Sequence, residues 1–209
     1  MRKIIVVLLW VLFGSLSVAI SFYPFKYLLA DKPILLLLSK STALISNNFY
    51  MICFYLHIIF GGIALLIGWV QFSKKLQRRY TALHRWIGKV YMLSVLISGI
   101  PGFYIALHAS GGLSPKLGFA IGAVLWVTLT VLGYTSIRNG NVELHKKIMT
   151  YNYAGTFGAV TLRLWLPILI MIFGEFVLAY QVVAWLSWLP NMLVVYFMFE
   201  KQKKVSLSV

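Results

Sequence analysis

Negative charge is almost missing from this chain. Its 209 residues hold four acids, Asp31, Glu143, Glu175 and Glu200, against nineteen lysines and arginines. None of the four lies inside a long apolar run, so no buried carboxylate can orient a histidine beside a serine nucleophile or complete an oxygen-rich metal site. The same lack weakens proton-coupled transport, leaving His57 as the titratable group within a span. Cysteine is as scarce. Cys53 alone excludes an intrachain disulfide and a cysteine-based metal framework, and it reads as a small packing residue. There is no P-loop and no dinucleotide fingerprint, which removes nucleotide-driven pumps. Extended polar sequence is lacking too: 61% of the residues are hydrophobic and the mean hydropathy is +0.87, where a soluble domain has roughly 45–50% apolar residues. The net charge of +15 therefore has no solvated domain on which to form a nucleic-acid surface.

What is present is a series of apolar runs long enough to cross a bilayer, which takes roughly 20 residues each. Six are expected, near 4–22, 49–72, 83–107, 117–135, 148–173 and 176–199. The fold class is thus an all-α membrane protein in one polytopic domain, with a four-helix core of spans two to five and flanking first and sixth helices. The first run, MRKIIVVLLWVLFGSLSVA, shares features with a signal peptide. It is read as an uncleaved span because hydrophobicity continues to Tyr23. PILLLLS, in the connection after it, is too short to cross and is expected at the interface.

Charge sets the orientation. Fourteen cations, among them Lys74, Lys75, Arg78, Arg79, Arg138, Lys146 and Lys147, fall on one side. Lys26, Lys32, Lys40 and Lys116 fall on the other, and Arg163 lies within a span. Positive loops stay inside, so both termini are expected in the cytoplasm of a cell whose inner membrane holds the protein. The bilayer itself, with anionic headgroups, is the partner this bias implies.

Each span after the first has a small or polar stripe at three- and four-residue steps. On the second it runs His57, Gly61, Ala64, Gly68, Gln71, and on the third His84, Gly88, Tyr91, Val95, Gly99, Gly102. The fourth offers Gly118, Gly122, Trp126, Leu129 and Gly133, and the fifth His145, Met149, Asn152, Thr156, Ala159 and Arg163. The sixth carries Gln181, Ala184, Trp188 and Asn191, with Pro190 placed to kink it.

Depth follows from a rise of about 1.5 Å per residue. His84 and His145 open their spans at the same edge and suit the two axial positions of a haem b, with Gly88 and Gly61, each four residues after a histidine, making room for a porphyrin edge. Interfacial or packing histidines, or another metal, are the alternatives. His57 and Arg163 come at about 22 Å and 27 Å from that edge. An intramembrane arginine costs about 2.5–3.5 kcal/mol, so a partner is expected: a quinone carbonyl, a lipid phosphate, a haem propionate or a backbone carbonyl beside Pro167. His57, Arg163, Trp126, Asn152 and Asn191 form the candidate ligand pocket, with helix-to-helix hydrogen bonding as the other reading of the two asparagines.

The stretch from His57 to Asn191 resembles a family of predicted bacterial membrane proteins catalogued as domain of unknown function 2306. The matching residues are HxxxG at His57, LHRWIGKVY from Leu83, His145 to Met149, TLRLWLP from Thr161 and SWLPN from Ser187. More distantly, spans two to five are similar to the transmembrane cytochrome b family, which moves electrons between ascorbate or quinols and acceptors. That likeness implies an inner haem between His84 and His145. The outer pair fails at the fourth helix, which has Trp126 at the corresponding depth and no histidine. The functional expectation is a b-type cytochrome-like redox protein working with a quinone or small reductant. A haem-free small-molecule binding or transport protein is the alternative, and a structural subunit is a third.

Topology reporters fused at Gln77, Asn141 and the C-terminus should read as cytoplasmic, and one at Ser110 as external. Gln77 found outside would reverse every depth above.

Overall fold

A computed structural model describes residues 2–207, without the side chains of Arg2, Leu35 and residues 201–207; the cations at 2, 201, 203 and 204 in the charge count thus lie outside the described side chains. All the regular structure among these residues is helical. Six segments are long and apolar enough to cross a membrane: Lys3–Leu28, Asn48–Phe72, Thr81–Ala106, Leu113–Arg138, Val142–Phe173 and Phe176–Glu200. The fourth and fifth start earlier than the hydropathy pattern suggests, because their first turns are polar yet helical. Apolar side chains face outward, with Ile4, Leu8 and Val11 of the first span each at least 60% exposed, as a chain solvated by lipid allows. The chain divides into two compact units, Met1–Ile105 and Ala106–Val209.

In the first unit α1 (Arg2–Ser21) is followed by the single turn α2 (Phe25–Leu28). A 3-10 helix over Leu35–Ser39 and the short α3 (Thr42–Ile45) then lead to α4 (Asn48–Gly68). PILLLLS does not cross. Its Leu37 is buried with Tyr27, Tyr50 and Phe54 in an aromatic cluster. α4 ends in a 3-10 turn, Trp69–Phe72, before the basic α5 (Lys74–Arg79) and the long α6 (Thr81–Ala106).

Adjacent glycines give α4 two close neighbours. A methyl group on Gly61 would sit 3.2 Å from Ser98 Oγ of α6, and one on Gly62 2.8 Å from the Ser21 carbonyl oxygen of α1. Consecutive positions on a helix point about 100° apart, so one Gly-Gly pair serves two packing faces.

The second unit contains α7 (Leu113–Arg138), α8 (Val142–Thr156), α9 (Gly158–Phe173), α10 (Phe176–Leu186) and α11 (Leu189–Leu207). The Asn-Gly turn after α7 uses Gly140 at φ 77°, a conformation that costs glycine little. Two spans are jointed. The fifth breaks at Phe157 between α8 and α9, and the sixth at Ser187–Trp188 between α10 and α11. Pro190 accounts for the second break, since it has no N–H and its ring crowds the carbonyl four residues back, that of Leu186 where α10 ends. The breaks meet: the Ser187 carbonyl lies 3.1 Å from where Gly158 would carry a Cβ, and it accepts hydrogen bonds from Thr161 Oγ1 and Asn191 Nδ2.

Two glycines of α6 should respond oppositely to alanine. A Cβ on Gly102 would stand 2.5 Å from His57 Nδ1, whereas one on Gly88 would meet nothing within 4 Å. Overpacking costs about 1–3 kcal/mol, more than the roughly 1 kcal/mol that alanine gains over glycine in a helix. Thermal unfolding in detergent should show a lower midpoint for Gly102→Ala and an unchanged or higher one for Gly88→Ala.

Candidate functional site

The first unit holds His57, Gly61, His84 and Gly88. His57 is half-buried on α4, its ring against the bare backbone of Gly102, and its Nδ1 lies 3.1 Å from the Ser98 carbonyl and 3.3 Å from Ser98 Oγ. The single hydroxyl hydrogen of Ser98 goes to the His57 carbonyl at 2.8 Å. Nδ1 must then donate to the Ser98 carbonyl, which fixes the neutral ring as the Nδ1–H tautomer. The space beside Gly61 is filled by Ser98. His57 and Gly61 thus belong to a tight α4–α6 crossing rather than an opening.

The other end of α6 differs. His84 is half-buried in its first turn, and Gly88, one turn on, faces open space. Gln71, on the same α4 stripe as His57, has both side-chain amide atoms buried with no hydrogen-bond partner among the described residues, although its carbonyl accepts from Gln77 Nε2 at 2.8 Å. An unmet buried amide costs about 1–3 kcal/mol. The described residues thus leave the needs of this amide unmet.

In the second unit the predicted stripes of the fourth, fifth and sixth spans meet one another. α8 starts at the cap Asn141, whose Oδ1 accepts from Leu144 N at 3.0 Å. One residue further on, His145 directs Nδ1 at the Gly133 carbonyl of α7, 2.8 Å away. A carbonyl can only accept, so Nδ1 carries a hydrogen, and in the neutral ring the lone pair is then on Nε2. Gly133 also receives Met149, whose sulfur would lie 2.5 Å from a Cβ there. One missing side chain thus admits both neighbours.

The polar residues further along the stripe are committed to helix contacts. Both amide hydrogens of Asn152 are used, on the Trp126 carbonyl at 2.9 Å and Thr130 Oγ1 at 2.8 Å, and Trp126 Nε1 donates to Thr156 Oγ1 at 2.8 Å. Asn191 Nδ2 shares its two hydrogens among three acceptors in reach, the carbonyls of Ala154 and Ser187 and Thr161 Oγ1. Trp188 Nε1 reaches the Gly118 carbonyl at 3.1 Å, and Gln181 Nε2 the Gly111 carbonyl at 2.6 Å. Arg163 bonds within its own helix, Nη1 to the Ala159 carbonyl at 2.7 Å. That carbonyl lies one turn before Arg163, not beside Pro167 where a backbone partner is expected.

Sequence reasoning missed Ser98, Thr130 and Thr161. Ser98 lies three residues after Val95 and four before Gly102, so the helical step that selects Gly99 selects Ser98 equally well. Thr130 Oγ1 donates to the Trp126 carbonyl of its own helix and accepts from Asn152, while Thr161 Oγ1 has one hydrogen within reach of the Phe157 carbonyl of its own span and the Ser187 carbonyl of the next. Nothing in their spacing marks the second bond. No group of three or more histidine, cysteine or acidic side chains able to hold a metal ion occurs among the described residues.

Comparison with known proteins finds no match among curated proteins or solved structures. The cytochrome b likeness expected from sequence finds no support in these comparisons. Residues 54–199 match the model of a family described as Predicted membrane protein (DUF2306). That span takes in His57, His84, His145, Arg163 and Asn191, and the chain belongs to this family of predicted membrane proteins of unknown function.

Proposed function

We propose that this protein is a b-type cytochrome-like redox protein of the membrane, in which His145 supplies an axial nitrogen to haem b. The sequence assigns the opposite ligand to His84. The observation that carries the reading is the bond from His145 Nδ1–H to the Gly133 carbonyl. Ligating histidines characteristically donate their other ring nitrogen to a carbonyl or carboxylate, which fixes the tautomer, orients the ring and raises the basicity of the ligating atom. In the neutral ring this bond leaves Nε2 as the atom that could face iron.

Two features of the first unit are compatible with a flat, partly polar ligand on its His84 side. A Cβ on Gly88 would meet nothing within 4 Å among the described residues, and the Gln71 amide lacks a partner among them. When bound, haem would supply a reversible one-electron iron couple whose potential depends on its ligands and on burial. A quinone or small membrane-soluble reductant is the class of electron partner that a bilayer location favours. The haem-free pocket built on Trp126, Asn152 and Asn191 has less behind it, because their donors serve neighbouring helices.

Protein purified mildly from haem-replete cells should show a Soret band and a reduced α-band. Both should be lost in His145→Ala and His84→Ala, weakened in Gly88→Leu at an equal amount of folded protein, and kept in His108→Ala. Colourless wild-type protein, or an unchanged spectrum in His145→Ala, would overturn the reading.

A further inference from the structure

The face of α1 that packs against the end of α4 borders a groove that the haem reading does not use. Val7, Trp10, Val11, Gly14 and Val18 of α1, with Trp69, line an open apolar cavity of ≈ 760 Å³, within the roughly 300–1,000 Å³ usual for ligand sites. Gly14 shapes it, since a Cβ there would stand 3.2 Å from the Trp69 ring. The lining stretch from Val7 to Ala19 is about 18 Å long, close to one leaflet of a hydrocarbon core about 30 Å thick.

The two walls run antiparallel, as the contacts of Gly14 with Trp69 and of Ser21 with Gly62 require. Both therefore end in cations at the same side. Lys3 precedes Val7 by four residues and shares its helix face. On the other wall, Trp69 is followed within a few residues by Lys74 and Lys75, and then by Arg78 and Arg79 of α5, all exposed. α5 is held at the span end by Ser73 Oγ, which accepts from Leu76 N, and by Gln77 Nε2 on the Gln71 carbonyl. The only acid in the unit, Asp31, lies beyond the opposite end of α1. A second copy of the chain would bring the same uncompensated cations against these, which disfavours a symmetric dimer through the groove.

We infer that the groove binds one anionic phospholipid, with an acyl chain between α1 and Trp69 and the phosphate held by Lys74, Lys75 and Lys3. This inference is independent of haem. Each lysine near an anionic headgroup contributes roughly fivefold in affinity.

Native mass spectrometry of the full chain, released from micelles containing phosphatidylglycerol and phosphatidylcholine, tests it by reading bound lipid and oligomeric state together. One phosphatidylglycerol should be retained in preference to phosphatidylcholine. Lys74→Gln with Lys75→Gln should weaken that retention about thirtyfold. Val11→Trp, which fills the groove from an exposed position, should abolish it without lowering the thermal midpoint. Equal retention of the two lipids, a preference that survives Val11→Trp, or a lipid-free dimer would each overturn the assignment.

Discussion

A side-chain donor inside a bilayer has no water to turn to, and this protein meets that constraint by aiming such donors at backbone carbonyls. His57 serves Ser98, His145 serves Gly133, Asn152 serves Trp126, Trp188 serves Gly118, and Asn191 with Thr161 serves Ser187. Each bond is modest, about 0.6 kcal/mol on average within membranes and rarely above 1.7. Leaving such a group unmet in hydrocarbon costs several times more. These bonds specify which helix faces meet, and in what register, more than they drive the helices together.

The acceptors are reachable because glycine or a helix break lies beside them. Gly102 gives His57 its seat beside Ser98, Gly133 leaves its own carbonyl uncovered by a side chain, and Gly158 opens the approach to Ser187. Polar and small residues therefore act as a pair here. A polar stripe without glycines opposite would leave its donors in lipid, and glycines without donors would leave packing with little directional preference.

Much of this was legible in sequence. Six spans, their stripes and the interruption at Pro190 follow from hydrophobic length, helical periodicity and the missing proline N–H. That the stripes of the fourth and fifth spans face each other follows too, since a turn as short as Asn139–Asn141 leaves the helices antiparallel and adjacent. The particular partners do not follow. Periodicity assigns a residue to a face but does not tell an opening from a close crossing, so Gly61 and Gly88 look alike in HxxxG and RWIGK although Ser98 fills one space and nothing fills the other. Nor does it name backbone acceptors, which carry no sequence mark. Arg163 shows this: its cost in a membrane forecasts a partner, while the rotamer that reaches back to Ala159 is set by local packing.

The meeting of the two breaks at Gly158 and Ser187 bears on stiffness. An uninterrupted helix such as α7 behaves as a rod, whereas the fifth and sixth spans are each two shorter rods joined at one plane. α8 packs with α11 on one side of that plane and α9 with α10 on the other. Because Thr161 and Asn191 both fasten to Ser187, the two joints are tied together, and any tilt of α9 would carry α10 with it.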